Sequence, residues 1–137
     1  MLRALALLVL LTAPAQSQDA VNTPPPPPEQ AAPAPEPVAP YDLQLLRLAE
    51  VLGSIHYLRT LCVPDEGPRW RESMSEIVAL EQPTPERRAR LISRFNRGYR
   101  AFDGNYITCT ASARLAADRY VAEGASLSAA IVQRFGR

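Results

Sequence analysis

From residue 42 onward, apolar side chains recur at steps of three and four, the period of a helix with one buried face. Leu45, Leu48, Leu52, Ile55 and Cys62 form the first such stripe, widened by Leu46, Val51 and Leu58. Asp42, just after Pro40, is placed to cap this first helix with its carboxylate, and Pro64 ends it. Asp65, Glu66 and Gly67 make a turn, and Pro68 suits the first turn of a second helix, where its missing N–H is no loss. Trp70, Met74, Ile77 and Val78 give that helix its core face, and Pro83 stops it.

Thr84-Pro85-Glu86 opens a third helix with a cap, a proline at the first position and an acid at the positive dipole end. Its stripe of Ile92, Phe95, Tyr99, Phe102, Tyr106 and Cys109 carries on to the second cysteine unless Gly104-Asn105 breaks it. Thr110 or Ser112 caps a fourth helix that runs through Tyr120 and Val121 and closes near Gly124. A last short helix, capped by Ser126, carries Leu127, Ile131 and Phe135. No segment alternates long enough to be a strand. The expected fold is therefore all-α, a small antiparallel bundle of four to five helices over residues 41–137. Short connections make its first and third helices parallel.

The chain begins differently. Arg3, the apolar run Ala4 to Leu11 and the small-x-small site Ala13-Pro14-Ala15 are the elements of a cleaved export signal over residues 1–18. The apolar run is far short of the roughly 20 residues needed to span a bilayer, and no later segment is long and apolar enough. Residues 19–40 hold the unbroken run Pro24 to Pro28, followed by Pro33, Pro35, Pro37 and Pro40. Each proline removes a backbone donor and locks its residue near an extended conformation, so the segment is expected to be a disordered, extended spacer. The localisation that follows is periplasmic.

An exported chain with one even pair of cysteines is expected to use it as a structural disulfide, here Cys62 with Cys109. The pair is not a C-x-x-C motif, and with His56 as the one histidine no transition-metal site is expected. No nucleophile elbow, glycine-rich phosphate loop or dinucleotide fingerprint occurs, and no cofactor is expected. The formal net charge of +1 argues against bulk attraction to nucleic acid. All the cationic side chains are arginine.

Five of those arginines share one face. On the third helix Arg87, Arg90, Arg94, Arg97 and Arg100 project into an arc of roughly 140° at 100° per residue, opposite the aromatic stripe. Guanidinium groups grip carboxylates and phosphates in a bidentate fork. Glu72, Glu76 and Glu81 of the second helix are the nearest expected counter-charges.

LAEVLGSIHYLRTLC, WRESM, RRARLISRFNRGYRAFDGNYITC and ARLAADRYVAEG resemble a family of small exported alphaproteobacterial proteins of unknown function. The resemblance covers Tyr41 to about Ile131 and implies an envelope location and an all-helical domain. It carries no site residues.

These features favour a non-enzymatic periplasmic adaptor for cell-envelope assembly or for regulating a cell-wall enzyme. The arginine face would meet an envelope protein or an anionic component such as lipid phosphate, lipopolysaccharide or peptidoglycan. The alternative is a small envelope hydrolase acting on a glycan or lipid through His56 or an acid.

Overall fold

The computed structural model describes residues 38–136, which form α1 (Asp42–Cys62), α2 (Gly67–Glu81), α3 (Pro85–Asp103) and α4 (Ala111–Phe135). A 3₁₀ turn at Pro64–Glu66 joins α1 to α2, and no strand occurs among the described residues. The expected signal at residues 1–18 and the proline-rich segment up to residue 37 lie outside them.

α1 is the axis, and α2, α3 and α4 each pack on it. Its buried apolar residues therefore cover about half its circumference at 100° per residue: Leu45, Leu48, Ala49, Val51, Leu52, Ile55 and Leu58. Contacts at both ends fix the directions. Asp42 meets Arg87 and Tyr57 meets Asp103, so α3 is parallel to α1. Tyr41 meets Glu81 and His56 meets Gly67, making α2 antiparallel, and Tyr41 against Phe135 does the same for α4.

The expected caps Thr84 and Thr110 accept hydrogen bonds from the backbone N–H of Arg87 and Ala113. Asp42 does not cap. Tyr41 holds the N-cap position of α1 without a side-chain bond, while the Asp42 carboxylate turns inward to Arg87.

Gly104-Asn105 does break α3. The N–H groups of Asn105 and Tyr106 both return to the Phe102 carbonyl at 3.0 Å, and the Asn105 amide donates to the Ala101 carbonyl at 2.9 Å. Cys109 consequently stands just before the N-cap of α4. Its disulfide to Cys62, with Cα atoms 4.9 Å apart, ties the end of α1 to the start of α4, not to α3.

α4 does not close near Gly124 but continues unbroken to Phe135. Gly124 marks a close approach: a Cβ there would lie 3.3 Å from Val51 Cγ1.

α1 and α3 approach most closely at two other glycines. A Cβ on Gly53 would overlap the Phe95 carbonyl oxygen, and one on Gly98 would overlap the Glu50 carbonyl oxygen. Buried Ser54 spans the same crossing, its hydroxyl 3.1 Å from the Glu50 carbonyl and 3.2 Å from that of Gly98.

This contact turns α3 about its axis. Its buried face is Arg87, Leu91, Phe95 and Gly98, roughly 60° from the expected aromatic stripe at 100° per residue. Ile92, expected in the core, is 43% exposed.

Two alanine substitutions should have opposite signs. Gly98→Ala gains helix propensity of about 1 kcal/mol but must push the α1 and α3 backbones apart, a net loss of about 2 kcal/mol. Gly104→Ala meets nothing within 4 Å and should stabilise by about 0.5 kcal/mol. Urea unfolding midpoints of the two variants check both signs.

Candidate functional site

The rotation of α3 divides the arginine face. Arg87, expected on the outer arc, is buried at 6% exposure. Its Nε and Nη2 donate to Asp42 Oδ1 at 2.9 and 2.6 Å, and Nη2 also donates to Glu81 Oε2 at 2.7 Å. The Tyr41 hydroxyl donates to the same Glu81 carboxylate at 3.2 Å. The hydrogen bond to Asp42, followed by that to Glu81, holds the guanidinium above the ordinary arginine pKa against the opposing effect of burial. Arg87 is thus a structural cation joining the ends of α1, α2 and α3, and it leaves the candidate binding set.

The other four stay on the outer face. Arg94 Nη1 lies 3.1 Å from Glu50 Oε2, and Arg97 Nε lies 3.8 Å from Glu50 Oε1. Arg90 and Arg100 are exposed and make no ion pair among the described residues.

A fifth arginine, Arg47 of α1, joins this face. It bonds Glu123 at 2.6 Å and Glu50 at 3.3 Å, with its guanidinium carbon 5.9 Å from the Tyr120 ring centre. The Glu123 hydrogen bond holds its pKa above the usual value.

Arg47, Arg90, Arg94, Arg97 and Arg100 are set against Glu50, Glu123 and, at the N-terminal end of α3, Glu86. The face is therefore more positive than the near-neutral whole chain implies. Shallow hollows of about 410 and 450 Å³ lie along it, one against Arg100, the other between Arg90 and Arg94. Several forked donors beside open space can engage a carboxylate or phosphate through two N–H groups at once.

Of the three expected acidic neighbours, one reaches an arginine of α3. Glu81 is taken by Arg87, while Glu72 and Glu76 make no ion pair with α3 among the described residues, because α2 and α3 pack mainly on α1. The carboxylate that answers the arginines, Glu50, lies on the helix most deeply buried in the bundle. Its one signal in the sequence was an acid set between Leu48-Ala49 and Val51-Leu52, in a helix that has few charged positions.

His56 has a structural setting. Nδ1 lies 2.8 Å from the Gly67 carbonyl, which only accepts, so Nδ1 carries the proton. The ring packs 5.7 Å from Phe95 and 5.6 Å from Tyr99, centre to centre. It seats the first residue of α2 on α1. Among the described residues, no three His, Cys, Asp or Glu side chains converge as metal ligands, and no helix is long and apolar enough to cross a membrane.

Neither a curated protein nor a solved structure matches the chain. A family model described as "Protein of unknown function (DUF2385)" matches residues 40–135, the four helices with their disulfide and the arginine face. On that match, which takes in most of its length, the chain belongs to the DUF2385 family.

Proposed function

We propose that this protein is an exported, non-enzymatic periplasmic binding module whose working surface is Arg90, Arg94, Arg97 and Arg100, extended by Arg47. The observation that carries the reading is the uneven sharing of charge. Arg94 and Arg97 divide one carboxylate, and Arg90 and Arg100 have no ion pair among the described residues. The expected ligand is anionic: lipid phosphate, lipopolysaccharide, a peptidoglycan carboxylate or an acidic surface of an envelope protein. Acting there, the module would serve envelope assembly or the control of a cell-wall enzyme.

Arg90→Glu with Arg100→Glu is the informative variant, because neither side chain supports the fold. Co-sedimentation with vesicles rich in phosphatidylglycerol and with purified peptidoglycan should show capture by the native protein. Capture should weaken as salt rises and be lost in the double variant, while helical circular dichroism is unchanged. Capture that survives both added salt and the charge reversal rejects the arginine face.

A further inference from the structure

On the side of α1 away from α3, α2 and α4 flank an open groove, and their backbones do not approach each other. At 100° per residue, the α1 residues that floor the groove, Leu48, Leu52 and Ile55, point roughly 150° away from those that meet α3. The groove holds about 370 Å³, with Trp70 and Ile77 on one wall and Val121 on the other. The Trp70 indole N–H is buried and has no hydrogen-bond partner.

Two apolar side chains stand out beside this recess. Leu80, on its rim, is 83% exposed, and Val132, one turn beyond the lining residue Ser128, is 66% exposed. The α4 stretch from Gly124 to Gln133 contains no charged residue, although most of it is exposed. Large apolar side chains exposed at the edge of an apolar recess are a feature of contact sites.

We propose that this groove is the interface through which two copies of the chain pair about a two-fold axis. A two-fold contact sets one patch against itself, so the patch must carry both knob and hole and must not repel its own copy. This face meets each condition. Leu80 and Val132 are the knobs, and the groove between α2 and α4 is the hole.

The charges are also self-complementary. α4 brings none between Gly124 and Gln133, and the α2 rim brings Arg69 and Glu76, two turns apart on one side of the helix and both exposed. An axis passing between them sets the Arg69 of each copy against the Glu76 of the other. The arginine face of α3 could not pair with itself, since like charges would meet. The proposal is independent of the function assigned to that face, which would remain open on the outer side of each copy.

Sedimentation equilibrium of the protein as isolated from the cell, with its disulfide intact, tests the pairing. Twice the chain mass is expected, along with a blue shift of emission from the single tryptophan, Trp70, as concentration rises. Leu80→Glu should weaken the dimer by about 100-fold, because each dimer carries the substitution twice. Ala125→Arg, on the opposite wall, should do the same, whereas Arg90→Glu with Arg100→Glu should leave the mass unchanged. A monomer at concentrations on the order of 100 µM overturns the proposal, as does a dimer that neither groove variant weakens. An open series of larger species would indicate a head-to-tail contact and overturn it equally.

Discussion

Arg87→Met is expected to destabilise the protein by about 3–5 kcal/mol, enough to unfold a large fraction of it near body temperature. The loss does not measure the strength of one ion pair. It measures what is left behind: an Asp42 carboxylate with 8% of its side-chain surface exposed, and a Glu81 carboxylate at 20%, both facing a methyl group instead of a cation. A buried charge that loses its partner incurs a desolvation penalty with no Coulombic return.

Removing the charges together should behave differently. Asp42→Asn and Glu81→Gln in the Arg87→Met background should recover most of the loss, because neutral amides find partners at far lower cost. Urea midpoints of the single and triple variants make the comparison. A loss below about 1 kcal/mol for Arg87→Met would mean that the network behaves as an exposed salt bridge does.

The second large effect is at the other end of α1. Replacing Cys62 and Cys109 with serine opens a loop whose ends are 47 positions apart, which frees unfolded-chain entropy worth about 4 kcal/mol. The described domain is small, and the network and the disulfide together represent much of its expected stability. Some 20 residues of α1 separate them, about 30 Å of helix, so their effects should add within a few tenths of a kcal/mol. The combined variant should be unfolded without denaturant, as read by circular dichroism. Retained helicity in that variant would show that the apolar core around Leu45, Leu58 and Leu91 suffices alone.

The local features were legible at Thr84, Thr110, Pro64 and Pro83. Each acts through its own backbone or that of its nearest neighbours, so position in the chain is enough to assign it. The features that went astray depend on a partner helix. Gly124 reads as punctuation because glycine weakens isolated helices, yet here it lets α4 lie against Val51. Gly98 carries no apolar side chain and so could not be counted in a hydrophobic stripe, although it marks the centre of the buried face of α3.

Once Gly98 is placed, Arg87 moves from the outer arc to the interior and Ile92 moves outward. The candidate site changed for the same reason: Arg90, Arg94, Arg97 and Arg100 were legible from spacing alone, but Glu50, Arg47 and Glu123 come from helices distant in sequence. The groove between α2 and α4 had no sequence signal, since it exists only because two helices share a third without touching.

By itself, then, the sequence determined the all-helical class, most helix limits and the pairing of Cys62 with Cys109. These follow from backbone chemistry, hydrophobic period and cysteine count, all of which act locally or by elimination. Tertiary structure alone decided the rotation of α3, the length of α4, and which of the α3 arginines are buried and which stay on the outer face. Rotation is set by how closely two backbones can approach, and that depends on side chains that are absent, the missing Cβ atoms of Gly53 and Gly98. A hydrophobic pattern records only the side chains that are present.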